Sequence, residues 1–316
     1  MIPGQCRLAN SESGIALITV MLVLTVVTVA LVEMSTSRQM DIRRTENQLR
    51  STQAWEYVYS LEAWASNQLQ VDLKQNKHDT TTDIWNKPLP RKPTSKGSIE
   101  ANIIELQGRI NLNNLLLEGK ASDEDVQRLK RLFGYLDIKP ERVDAMLDWI
   151  DADMEIRYPK GAEDETYSRL SQPYRTSNCL FSDVSELMRI EGITFKDYEK
   201  LLPYIYVAKE REPININTAS AMVLRTMADN ISKNKAESIF RASGKPFKKV
   251  DEFLKDEALS GISVKKETLT VVSNHFLLAG QIDMGKNGLS FQSQLKRTPE
   301  GKVNVLSRMR RSAVNG

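Results

Sequence analysis

Hydrophobic and polar positions are sharply segregated along this chain. Residues 15 to 32 read IALITVMLVLTVVTVALV, eighteen positions without a charge, interrupted only by Thr19, Thr25 and Thr28. As a helix the run is roughly 27 Å long, close to the hydrocarbon thickness of a bilayer. A buried core helix of that length without a charge is rare in a soluble protein. A secretory signal needs a positive n-region and a small-residue cleavage site behind the apolar run. Here only Arg7 and Glu12 carry charge ahead of it, and it ends Val32-Glu33-Met34, so a membrane span is the better reading. From Glu33 to about Gln70 there is no Gly or Pro, and good helix formers predominate. Trp55, Val58, Leu61, Ala65 and Leu69 recur at helical spacing. One rod of about fifty-five residues is expected, its front half in lipid and its rear half, with Trp55 and Trp64, packed on a globular head.

The pattern breaks between residues 73 and 97, where three prolines and many turn formers predict a loop. SIEANIIELQ then predicts a strand over 98–106. TLTVVSNHFLLAGQID, GLSFQSQLKR and KVNVLSRMR predict a C-terminal meander, with turns at Gly285 to Gly288 and Pro299 to Gly301. Its pairing with the early strand lays one face on the N-terminal helix. Everything from about Arg109 to Lys266 reads as short amphipathic helices, several with capping-type starts: Ser122 with Asp125, Ser182 with Ser185, Thr194 with Asp197. GRINLNNLLL and PININTASAMVL form a weak internal echo, each reading I-N-(L/I)-N ahead of an apolar helix.

Composition narrows the chemistry. The 44 basic and 41 acidic residues leave a net charge of only +3, so no global field for a polyanion exists. Two cysteines, Cys6 and Cys179, are too few for a disulfide framework or a zinc module, and His78 and His275 lie far apart in sequence. No nucleophile elbow, Gly-rich phosphate loop or hydrolase-type carboxylate pair is present, so an enzyme is not expected. A membrane-anchored helix-hairpin-helix DNA-binding protein is the alternative. Against it, TMADNISKNKA has no Gly in its turn, and residues 141 to 199 carry fourteen acidic against seven basic residues, which repels DNA.

The leader MIPGQCRLANSESG is polar and ends at Gly14, directly before Ile15. This resembles the type IV prepilin signal, in which the cut precedes the apolar helix. The serial order of RSTQAWEYVYSLEAWA, QGRINLNNL, MLDWIDAD, KGAEDETY, PYRTSNCLFSDVSELMRIEGIT, EPININTAS and SNHFLLAGQI resembles the minor pseudopilin K family of type II secretion over nearly the whole chain. The expected fold is α+β: a pilin-like long N-terminal helix packed on an antiparallel sheet, with a large all-α inserted domain. The expected parts are a leader (1–14), a membrane segment (15–33), a periplasmic helix segment (34–72), a head (73–109 plus 267–316) and a helical insertion (110–266).

The resemblance implies cleavage after Gly14 and N-methylation of Ile15 by prepilin peptidase, and single-pass residence in the inner membrane with a periplasmic C-terminal domain. It also implies assembly with minor pseudopilins I and J and the major pseudopilin at the filament tip, without nucleic acid, in support of export across the outer membrane. The fifth residue counted from Ile15 is Thr19, where most pilins carry Glu. A carboxylate in lipid needs a partner, and its absence suits a terminal subunit. The family further implies Ca²⁺ in the insertion. Between Asp148 and Glu165 the chain carries seven carboxylates, a composition that suits an oxygen-seeking cation but fails the EF-hand pattern at Ile156 and Ala162. On the residues alone, a solvated acidic loop and a metal site both remain open. The implied ligands are Asp151, Asp153, Glu155, Glu163, Asp164 and Asp183, with Asn178 a further candidate. Without the leader, Cys179 is an unpaired thiol and is expected to be buried or liganded.

Overall fold

The computed structural model describes residues 12–95, 97–240, 245–285 and 287–311. The chain divides into two compact units, one ending at Tyr57 and the other beginning at Val58. Helix α1 (Glu12–Gln75) runs for 64 residues, longer than expected at both ends, and Gly14 lies inside it. Residues 1–11 of the expected leader lie outside the described residues. In the first unit α1 presents an apolar window of mean hydropathy 2.9, none of it buried. Its few polar groups are satisfied internally. The hydroxyls of Thr19, Thr25 and Thr28 donate to the carbonyls of Ala16, Met21 and Leu24 at 2.9, 2.7 and 2.7 Å. That is what a helix in hydrocarbon requires.

In the second unit the stripe Val58, Leu61, Ala65 and Leu69 is buried. Glu62, on the same face, is a buried carboxylate held from the sheet by Ser293 Oγ at 2.6 Å and Arg308 Nε at 2.8 Å. Trp55 and Trp64 are only half-buried, because both stand at the flank of that stripe. The fully buried indole is Trp85, edge-on to Phe276 with ring centroids 5.5 Å apart.

The region expected to be loop contains a helical turn (Ile84–Asn86) and strand β1 (Leu89–Thr94), which pairs antiparallel with β2 (Gly97–Glu105). Prolines 88, 90 and 93 hide β1 in the sequence, and they are tolerated because β1 is a sheet edge whose pairing is irregular between Leu89 and Lys92. The chain then leaves the sheet. It passes through β3 (Ile110–Asn111), a tight helical turn (Leu112–Leu115), the small hairpin β4 (Leu116–Leu117) and β5 (Lys120–Ala121), and helices α2 (Asp123–Tyr135), α3 (Arg142–Ile150) and α4 (Asp164–Ser168). A 3-10 segment (Val184–Arg189), α5 (Phe195–Leu201) and β6 (Ile205–Tyr206) complete a first half. The second half holds β7 (Ile214–Asn215), α6 (Ala221–Arg225), α7 (Lys233–Ile239), α8 (Val250–Leu254) and β8 (Leu269–Thr270). Strands β9 (His275–Met284), β10 (Asn287–Arg297) and β11 (Val303–Arg311) close the antiparallel sheet in the order β1-β2-β9-β10-β11.

The I-N-x-N echo is a structural repeat. In each half the strand carrying it pairs in parallel with the strand that ends that half, β3 with β6 and β7 with β8. The first asparagine accepts the N–H of the second, Asn113 to Asn111 at 3.2 Å and Asn217 to Asn215 at 3.0 Å. The second asparagine exchanges two hydrogen bonds with a phenylalanine backbone: Asn113 with Phe181 at 3.0 and 2.8 Å, Asn217 with Phe247 at 3.0 and 2.9 Å. The amide thus stands in for a strand neighbour and locks a distant loop against the core.

Three expectations about the insertion change. It is not all-α, because these short parallel pairings frame it. The 184–189 segment is capped by Asp183 rather than Ser182: Asp183 accepts the Ser185 N–H at 2.9 Å while Glu186 reaches back to the Asp183 N–H at 3.1 Å. Ser122 bonds the Asp125 side chain at 2.7 Å instead of a backbone N–H, whereas Thr194 and Asp197 form the expected capping box. The insertion also bonds directly to the head. Gln107 bonds the Pro213 carbonyl at 3.0 Å, Asn215 bonds the Asp79 carbonyl at 3.2 Å, and buried His275 and Glu212 meet at 2.9 Å.

Candidate cation site

Helix α3 buries Met146, Leu147, Trp149 and Ile150, and on that apolar end sits Asp148, fully buried. The helix ends at Asp151, whose N–H still reaches the Leu147 carbonyl at 2.9 Å. The chain then loops outward and returns at Gly161 and Ala162. Gly161 is required there, since a Cβ would stand 2.1 Å from Asp148 Oδ2. The return delivers Glu163, also buried, beside Asp151. One carboxylate oxygen from each of Asp151, Asp153 and Glu163 lies within 4.8 Å of the others.

Arg157 neutralises only part of this charge. Its guanidinium bonds Asp151 Oδ2 at 2.8 Å and lies 3.4 Å from Asp148 Oδ1, and its backbone N–H donates to Asp148 Oδ2 at 3.2 Å. Buried oxygens remain without a hydrogen bond: Asp148 Oδ1, Asp151 Oδ1, both of Glu163 and Asn178 Oδ1. Asn178 adopts a left-handed φ of 47°, its N–H bonding the Trp149 carbonyl at 3.1 Å. Burial and mutual repulsion raise the carboxyl pKa values. Asp148 is pushed up to about 6 and Glu163 to about 7, each first by burial, Glu163 then by the charges of Asp148, Asp151 and Asp153. A set of convergent, half-compensated carboxylates is the donor chemistry of a hard divalent cation.

The implied ligands do not all converge. Asp151, Asp153 and Glu163 come together, and Asp148 adjoins them through Arg157 and its charge on Glu163. Glu155 is exposed and contributes its N–H to Asp153 Oδ1 at 2.8 Å. Asp164 is taken up by Thr176, whose N–H and hydroxyl donate at 2.9 and 2.8 Å and hold its pKa below the ordinary value. Asp183 is spent as a helix cap. Asp148 is absent from the implied ligands because its helical position reads as core; the available signal is one carboxylate among buried apolar neighbours. Cys179 is exposed, contrary to expectation, whereas the amide oxygen of the preceding Asn178 is buried.

A second carboxylate cluster lies between the end of α1 and the sheet: Asp72, Asp79 and Asp83. It holds its own cation. Buried Arg297 bonds Asp79 Oδ2 at 2.5 Å, lies 3.6 Å from Asp72 Oδ2, and donates to the carbonyls of Ser273 and Leu69 at 2.7 and 3.1 Å. Thr80 occupies Asp83 through its N–H and hydroxyl at 2.7 and 2.8 Å.

Two family models, both described as type II secretion system protein K, match residues 108–210 and 214–272, close to the two halves of the repeat. The type II secretion system protein K of Pseudomonas aeruginosa is 34% identical over 95% of this chain and 93% of its own length. That of Aeromonas hydrophila is 27% identical over 96% and 98%. A chain in the crystal structure of the GspK–GspI–GspJ complex from enterotoxigenic Escherichia coli is 27% identical, with a TM-score of 0.76 over 85% of this chain and 100% of that one. Together with the long apolar helix, the antiparallel sheet and the repeated insertion, these likenesses settle the family: the chain belongs to the type II secretion system protein K family of minor pseudopilins.

Proposed function

We propose that this minor pseudopilin occupies the tip of the pseudopilus, where it initiates or caps the filament together with minor pseudopilins I and J and supports export of folded proteins across the outer membrane. The observation that carries the reading is Thr19. Its hydroxyl is taken up by the Ala16 carbonyl, and residues 15–32 hold no carboxylate. The membrane helix therefore needs no amine from a subunit above it. Likeness to a chain of the K–I–J complex supports the same partners. Prepilin peptidase cuts between Gly14 and Ile15 and the new N-terminus is methylated, leaving a single-pass inner-membrane protein with a periplasmic head. Intact mass of the mature chain tests the cut, and retention of residues 1–14 rules it out.

The acidic loop holds Ca²⁺ through Asp151, Asp153 and Glu163 with Asp148 and Asn178, as the clustering of the first three and the unpaired buried oxygens of Asp148, Asp151, Glu163 and Asn178 support. When bound, the ion supplies charge neutralisation, and the loop 151–163 is drawn onto α3. Co-expression with I and J is the test of the assembly. The full chain is expected to co-purify with both in a one-to-one-to-one complex and not to polymerise alone. Homopolymers, or no association with either partner, would sink the tip reading and leave a generic pilin.

A further inference from the structure

A cavity of about 420 Å³ lies where β2 meets the insertion, lined among others by Trp85, Asn102, Glu105, Arg109, Pro203 and Thr218. That volume is within the range of small-ligand sites. Arg109 is half-buried on its wall, and burial lowers its pKa. Other inward arginines here have counter-ions: Arg128 has Asp125 at 2.6 Å, Arg157 has Asp151 at 2.8 Å and Arg297 has Asp79 at 2.5 Å. Among the described residues Arg109 has no carboxylate within 4.0 Å. Glu105, on the same wall, is turned to other donors, accepting the Gly108 N–H at 2.9 Å and the Ser273 hydroxyl at 2.6 Å. Its charge reaches Arg109 only as a partial compensation, without an ion pair.

A half-buried guanidinium without a close ion-pair partner is relieved by an incoming anion. Its planar fork matches the two oxygens of a carboxylate. We propose that Arg109 and this cavity form a binding site for a carboxylate group, supplied by an acidic side chain or by a chain terminus. Asn102 and Thr218 stand on the same wall as additional hydrogen-bonding groups.

The test uses the full chain in detergent micelles, following its melting temperature against acetyl-aspartate amide, acetyl-glutamate amide, acetyl-alanine and the neutral acetyl-asparagine amide. The carboxylate probes are expected to raise the melting temperature by mass action and the neutral amide to leave it unchanged. A stronger response to the acidic amides assigns a side-chain source, and one to acetyl-alanine a chain terminus. Arg109→Gln is expected to shift the titration at least tenfold to higher probe concentration. Without probe, Arg109→Gln is expected to melt no lower than the native chain, since it removes a half-buried charge that has no ion-pair partner. An undiminished response in Arg109→Gln, no response to any carboxylate probe, or Arg109→Gln melting well below the native chain each overturns the proposal, the last assigning Arg109 a structural role.

Discussion

The two carboxylate clusters answer the same electrostatic problem differently. Near the end of α1, Asp72 and Asp79 are buried, and the chain supplies Arg297 from β10, withdrawn from water with them. In the insertion, Asp148, Asp151 and Glu163 are equally buried, but Arg157 comes from the loop itself and remains one-third exposed. It reaches two of the three and leaves Glu163 without a partner. The first cluster is closed by a cation of the chain's own; the second is left with buried carboxylate oxygens that no protein group satisfies among the described residues. A group that must hold under all conditions carries its own counter-charge, whereas one left open makes local order depend on the surroundings.

Removing the internal cation should have the largest effect. Arg297→Met strands Asp79 and Asp72 and is expected to cost about 3–5 kcal/mol in denaturant unfolding. A loss under about 1 kcal/mol would mean that Arg297 does not hold that cluster closed. Withdrawing Ca²⁺ comes next. Relative to calcium at a hundredfold above its dissociation constant, chelator should cost about 2.7 kcal/mol. At about 2–4 °C per kcal/mol, that is several degrees in melting temperature. Glu163→Gln should abolish the calcium response while leaving the chelated protein no less stable. An identical calcium response in the variant, or none in the native chain, breaks the contrast.

Proton linkage provides a finer test. Glu163 and Asp148 bind protons more tightly folded, at about 7 and 6, than unfolded, at the usual 4.5 and 3.8. In chelator the folded state therefore holds the extra protons, and this contribution is lost as pH rises through about 4 to 7. Bound calcium competes with those protons, so its stabilisation should grow over the same window. Melting curves between pH 5 and 8, with and without calcium, should diverge upward in pH; parallel curves would show that these carboxyls are not the site. Asp72, also raised to about 6, contributes the same slope to both curves. The smallest effect belongs to Asp183→Ala, which should cost about 1 kcal/mol as a lost helix cap and leave calcium affinity unchanged. A lost calcium response there would restore Asp183 as a ligand.

Much of this architecture was legible because single periods carry it. The apolar run, the stripe from Val58 to Leu69 and the C-terminal meander each follow one repeat along the chain. β1 was hidden because prolines normally mark loops, and only the sheet's order shows that an edge tolerates them. The asparagine echo was visible, but not that Asn113 and Asn217 each grip a phenylalanine backbone, 68 and 30 residues away. The acidic loop lies in that extra length of the first half. Its composition could be read, but its ligand set could not. Whether a carboxylate converges depends on competing local donors, as Thr176 claims Asp164 and the Ser185 N–H claims Asp183.

The adjacency of β2 and β9 has a consequence for how the protein is made. Glu105 pairs with Phe276, so the insertion is the loop whose closure brings the central strands together. Closing so long a flexible loop is entropically unfavourable and slow. An insertion that condenses through its own short-range contacts presents Gln107 and His275 as nearby ends instead. Synthesis also proceeds from the opposite side of the problem. The stripe Val58, Leu61, Ala65 and Leu69 emerges first, while β9, β10 and β11, which complete its sheet, emerge last. Between those moments the nascent chain carries an uncovered apolar helix for more than two hundred residues of elongation. Truncations that stop before β11 should accordingly be captured by holding chaperones rather than accumulate as folded fragments.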